Sequence, residues 1–105
     1  MLNKHEAKSV DDLKNIIMSL KEPIILKFKS NSCGPCMELA KDLENFNPPE
    51  DINIIEVDVT KSMELPRKYN VRSIPHLIKI NKNLEMIDDK IGYSDFNNFK
   101  EWLYK

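Results

Sequence analysis

Apolar positions change their spacing several times along this chain, and each change marks an element. Asn3 to Lys8 has room for a short edge strand. Ser9 then reads as an N-cap with Asp12 three positions on, and Val10, Leu13, Ile16, Ile17 and Leu20 share one helical face that Pro23 closes. Ile24 to Lys29 opens with a β-branched, apolar run, as expected of a strand covered on both faces. From Gly34 to Phe46 the positions Met37, Ala40, Leu43 and Phe46, with Cys36 and Leu39 beside them, return to helical spacing, and Pro48-Pro49 forbids continuation. Ile52 to Val59 alternates as a strand, with Ile54 or Ile55, Val57 and Val59 on one side and Asn53, Glu56 and Asp58 among the rest. Thr60 is the expected cap of a short helical segment within Lys61 to Tyr69, where Pro66 fits only in the first turn or beside a kink. His76 to Ile80 and Leu84 to Ile91 read as a hairpin turning at Asn81-Lys82-Asn83. After Gly92, Ser94 is the expected cap of a last helix that packs through Phe96, Phe99 and Leu103, flanked by Trp102 and Tyr104. Strand and helix in alternation, closed by a hairpin and a helix, imply one sheet with helices on both faces.

Composition narrows the class. A chain of 105 residues with 41% hydrophobic content suits a single domain spanning residues 1–105. Sixteen basic against seventeen acidic residues give a formal net charge of -1, without a basic block, which argues against nucleic-acid binding. No purely apolar run exceeds the three residues of Ile24-Ile25-Leu26, far short of the ~20 needed to span a bilayer. Met1 to Lys8 carries no apolar segment of a secretory signal, so the expected location is cytoplasmic.

The two cysteines, Cys33 and Cys36, enclose only Gly34 and Pro35. A structural staple across so short a loop would stabilise little, because the entropy it removes grows with loop length. Cys33 falls at a strand-to-helix junction, where unpaired N–H groups and the helix dipole favour a thiolate. Cys36 follows one helical turn later, close enough to bond it. The expected division of labour is attack by Cys33 and resolution by Cys36. Pro35 suits a first helical turn, and Gly34 leaves room for another polypeptide to approach the sulfur. A zinc site would need about four ligands; beyond the cysteines only His5 and His76 remain, and no metal site is expected.

Ser32-Cys33-Gly34-Pro35-Cys36 after an apolar strand, Val57-Asp58 in the next, the segment Pro66 to Pro75, and Ile91-Gly92 before the last helix together resemble the thioredoxin family across nearly the whole chain. The resemblance implies an α/β three-layer sandwich, a mixed sheet of four to five strands flanked by four helices. It implies a cis Ile74-Pro75 bond facing the sulfurs, with Ile74 and Ser32 at the substrate surface. It further implies a protein-disulfide reductase cycling through a Cys33–Cys36 disulfide without a bound cofactor. Electrons would come from NADPH through a thioredoxin reductase. Partners would be disulfide-containing clients, met by a monomer. The alternative is a thioredoxin-like binding module whose cysteines act as a redox switch with little turnover.

Two departures bear on the chemistry. Family members usually carry Trp where this chain has Ser32, and a buried Asp where it has Lys27. Lys27 has two readings: an ammonium near Cys36 that favours its thiolate, so that Lys27→Met raises the thiol's pKa, or a side chain extending its amine to water. His76 is read as a surface-facing first residue of its strand rather than a group that tunes the sulfurs, and His5 as solvent-exposed near the terminus. Phe28, Phe46, Phe96, Phe99 and Trp102 are assigned to the core.

Overall fold

Ser9 caps the first helix as its sequence requires, its side chain accepting the Asp12 N–H, while the Asp12 carboxylate accepts from the N–H of Lys8. The structure, a computed structural model, describes residues 1–105 in the order β1 (Leu2–Glu6), α1 (Val10–Ile17), β2 (Ile24–Lys29), α2 (Gly34–Glu44), β3 (Ile52–Asp58), α3 (Glu64–Lys68), β4 (His76–Ile80), β5 (Met86–Ile91) and α4 (Phe96–Leu103). The five strands form one sheet in the order β1-β3-β2-β4-β5. β1 and β2 run parallel to β3 on either side of it; β4 opposes β2, and β5 opposes β4. The expected mixed sheet with four helices is therefore present, at five strands.

Alternate residues of the central strands feed two separate cores. Ile24, Leu26, Phe28, Ile55 and Val57 pack with Leu13, Ile17 and Leu65 beneath α1 and α3. Ile25, Ile52 and Ile54 pack with Leu39, Leu43, Phe99 and Trp102 beneath α2 and α4. This phase matters for the chemistry: residues 25, 27 and 29 of β2, and 54, 56 and 58 of β3, project toward α2. The polar residues of β3 are largely enclosed: Asn53, between β1 and β2, and Asp58 are each 4% exposed, and Glu56 is 27% exposed. Asn53 is accommodated by donating to the Lys21 carbonyl at 2.8 Å.

Several boundaries differ from their sequence expectation. α1 stops at Ile17, and Leu20 joins the core from a turn; the Lys82 ammonium donates to the Ile17 and Leu20 carbonyls at 2.7 and 2.6 Å, closing that helix end from 62 or more residues away. Pro23 therefore lies beyond the helix rather than ending it, and its bond to Glu22 is cis. α2 ends at Glu44, two residues short of Phe46. Thr60 caps no helix: α3 begins at Glu64 after Met63, which places Pro66 in the first turn, where its missing N–H is not needed. β5 starts at Met86 because Leu84 adopts a φ of 67° in the preceding turn. At α4 the cap is Asp95, accepting from the Asn98 N–H at 2.9 Å, not Ser94.

Both histidines are more enclosed than expected. His76 is only 4% exposed, because β4 lies between β2 and β5 and both flanks of its first residue are covered. Its Nε2 meets the Asp89 carboxylate at 2.8 Å. His5 is half-buried on β1, with its Nε2 enclosed and unpaired.

Candidate active site

β2 is buried from Ile24 to Phe28 and delivers the chain straight into the loop before α2. Cys33 is the N-cap of that helix, with extended backbone (φ -96°, ψ 115°), and its Sγ accepts the Cys36 N–H at 3.2 Å. The sulfur thus occupies the place that a serine or aspartate oxygen takes at ordinary helix starts. A hydrogen bond of this kind strengthens when the acceptor is ionised, and the dipole acts in the same sense. The first turn of α2 holds no acidic residue to oppose it. Cys33 and Cys36 are disulfide-bonded, with Cα atoms 5.2 Å apart.

Exposure separates the two sulfurs' roles. Cys33 is half-buried, whereas Cys36 is 3% exposed behind the helix. Ser32, Gly34 and Pro35 are all exposed around the first sulfur. A methyl group added at Gly34 would meet nothing within 4 Å, so the approach over the disulfide is open.

The Ile74–Pro75 bond is cis, as the resemblance implied. Phe28, next to the end of β2, pairs with His76 at the start of β4, which brings Pro75 to the sheet edge from which the Cys33 loop departs. Pro75 is buried and its carbonyl accepts the Gly92 N–H at 2.8 Å. No hydrogen bond within the chain engages the backbone N–H or C=O of Ile74. Ile74 also lines an apolar depression of about 180 Å³ with Val59, Pro66 and Val71.

Lys27 does not extend its amine to water, the second of its two readings. It is 1% exposed, so its amine does not reach water; its Nζ donates to Glu56 Oε2 at 3.0 Å. Lys27 and Glu56 are register partners on β2 and β3, and both line a cavity that also reaches Cys36. One step nearer the loop, Lys29 stands 3.8 Å from Asp58. Glu56 and Asp58 were absent from the sequence-derived site. The alternation Lys27-x-Lys29 against Glu56-x-Asp58 is the signal that matched them, legible once the strands are known to be neighbours.

The Asp58 carboxylate accepts from the Thr60 hydroxyl at 2.6 Å and from the Thr60 N–H at 2.9 Å. Those two bonds, then Lys29 and Lys61, outweigh burial and hold its pKa below the usual carboxylate value. A lowered folded-state pKa contributes stability above the unfolded value, and that contribution is lost as pH falls through the folded one. Asp58→Asn is therefore expected to cost about 1–3 kcal/mol near neutral pH. In urea melts the gap between variant and parent should narrow on acidification below the ordinary carboxylate pKa; a gap independent of pH would show that the charge is not responsible.

The thioredoxin family model matches residues 4–105. Among curated relatives, a thioredoxin of Rickettsia prowazekii is 28% identical over 88% of this chain and 89% of its own length. One of Mycoplasmoides gallisepticum is 32% identical over 83% of this chain and 87% of its own. Among solved structures, Schistosoma mansoni thioredoxin superposes with a TM-score of 0.80 at 28% identity, covering 97% of this chain and 94% of that one. Fasciola hepatica thioredoxin gives a TM-score of 0.83 at 25% identity, covering 95% and 96%. With its fold, its paired sulfurs and these relatives in agreement, the chain belongs to the thioredoxin family and is a protein-disulfide oxidoreductase.

Proposed function

We propose that this chain reduces disulfides in client proteins through the Cys-Gly-Pro-Cys dithiol. The observation that carries the reading is the placement of the Cys33 sulfur at a capped helix start, open to solvent, with Cys36 buried one turn behind it. In the reduced protein the Cys33 thiolate attacks one sulfur of a client disulfide. The client S–S bond breaks, its other sulfur leaves as a thiolate and takes a proton, and a mixed disulfide remains on Cys33. Cys36 loses its proton, attacks the Cys33 sulfur and expels the second client thiolate. The client gains two electrons and two protons, and the protein is left with its Cys33–Cys36 disulfide.

Ile74 and Pro75 supply the rest of the client site. The unengaged backbone groups of Ile74 suit pairing with an extended client segment, in the manner of an added strand. Ser32 and Gly34 leave the approach open. Electrons return from NADPH through a thioredoxin reductase, and the protein acts as a cytoplasmic monomer built as a single domain; these points rest on the family and on the sequence.

Two measurements test the reading. With dithiothreitol as electron source, the protein is expected to reduce insulin over many turnovers, and Cys36→Ser to accumulate a mixed disulfide with a client through Cys33. Client binding with negligible turnover identifies a binding module instead, and failure of Cys36→Ser to trap a client removes the two-step mechanism.

A further inference from the structure

Beneath the disulfide lies a cavity of about 310 Å³, walled on the sheet side by Lys27 and Glu56 and on the helix side by Cys36, Met37 and Ala40. It is roomy enough for water beside polar partners. Glu56 is the one carboxylate among the residues that line it. Its Oε2 is held by the Lys27 ammonium at 3.0 Å, while no hydrogen bond within the chain engages its Oε1, and its side chain is 27% exposed. An ammonium has three donors and no lone pair, so Lys27 cannot accept a proton while charged. The other charged groups nearby are Lys29 on β2, Asp58 on β3, tied to Thr60, and Glu6, the exposed register partner of Glu56 on β1. From α2 only Cys36, once reduced, presents a titratable group to the cavity.

We propose that Glu56 accepts the proton that Cys36 releases during resolution, with Lys27 as the positioning residue that holds the carboxylate at the cavity wall. This rests on the two-cysteine cycle proposed above. In the step, the Cys36 S–H proton passes to Glu56 as the Cys36 sulfur bonds to Cys33 Sγ. The bond between Cys33 and the client sulfur breaks, the client sulfur leaves with that electron pair, and the Glu56 proton is returned to it or to water. No further oxidant or reductant is needed. A buried thiol loses its proton reluctantly, because the thiolate would have to form out of water. A carboxylate sharing the cavity removes that obstacle at neutral pH.

The test uses Ellman's reagent, dithiobis(nitrobenzoate), mixed with the reduced protein at less than one equivalent. The first nitrothiobenzoate released reports attack by Cys33, and the second reports resolution by Cys36. Glu56→Gln keeps an oxygen for Lys27 but cannot take up a proton at working pH. Its second release is expected to be at least about tenfold slower near neutral pH. It should converge with the parent toward about pH 10, where the thiol ionises unaided. A second release with the parent's pH profile, slowed equally at every pH, or accelerated by the now unneutralised Lys27, overturns the proposal.

The variant Lys27→Met/Glu56→Gln removes both charges together and decides the matter if Glu56→Gln folds poorly. The same neutral-pH slowing is expected there, and a parent-like profile is equally fatal. Failure of the underlying cycle looks different: the parent itself would show no second release.

Discussion

Reduced protein treated with iodoacetamide near pH 6 is expected to be alkylated at Cys33 at least about tenfold faster than at Cys36, and Cys33→Ser to lose essentially all disulfide-reducing turnover. The thiolate is the reacting species, and an ordinary thiol with a pKa of about 8.5 is almost wholly protonated at that pH. At Cys33 the helix dipole and the Cys36 N–H both favour the ionised sulfur. At Cys36, burial to 3% exposure opposes ionisation and hinders the reagent. Labelling followed by peptide mapping at several pH values separates the two sulfurs. The denatured protein supplies the control, since there both thiols should react alike. Matched rates in the folded protein would remove the assignment of Cys33 as attacking group, while leaving the fold untouched.

Glu56→Ala is expected to be among the most destabilising single substitutions near the site, at about 3 kcal/mol or more, because it leaves the Lys27 ammonium buried without a counter-charge. Lys27→Met should cost less, since Glu56 is 27% exposed and water can solvate the carboxylate left behind. The double variant Lys27→Met/Glu56→Gln should lie within about 1 kcal/mol of the parent, as replacing both members of a buried pair avoids the desolvation that each charge suffers alone. Urea unfolding of the oxidised proteins gives all three values on one scale. The order Glu56→Ala, Lys27→Met, double variant, from least to most stable, is the outcome that supports a coupled pair. If the losses of Lys27→Met and of a Glu56→Gln single variant, measured beside them, simply add in the double variant, Lys27 and Glu56 act independently and the pair has no special place in the site.

Spacing and residue type alone determined a good deal of this protein. The Ser9 cap, the apolar run at Ile24 and the cysteine pair at a strand-to-helix junction are local features, and each was found where expected; the helix after Cys33 was expected too, but it buries Cys36, Leu39 and Leu43 and leaves Met37 exposed. The cis geometry at Pro75 came from the likeness to a family, since no local pattern distinguishes it from other X-Pro bonds. What only the tertiary structure decided depends on which strands become neighbours. The enclosure of His76 follows from β4 lying between β2 and β5, and the α1 end closed by Lys82 joins residues 62 or more positions apart. The partnership of Lys27 with Glu56 arises because β2 and β3 pair in parallel with that register, placing opposite charges on one face of the sheet under α2. A local pattern records which residues prefer a strand or a helix; it does not record which strand lies beside which. Burial, and with it the strength of every charge interaction in this site, is a property of that arrangement.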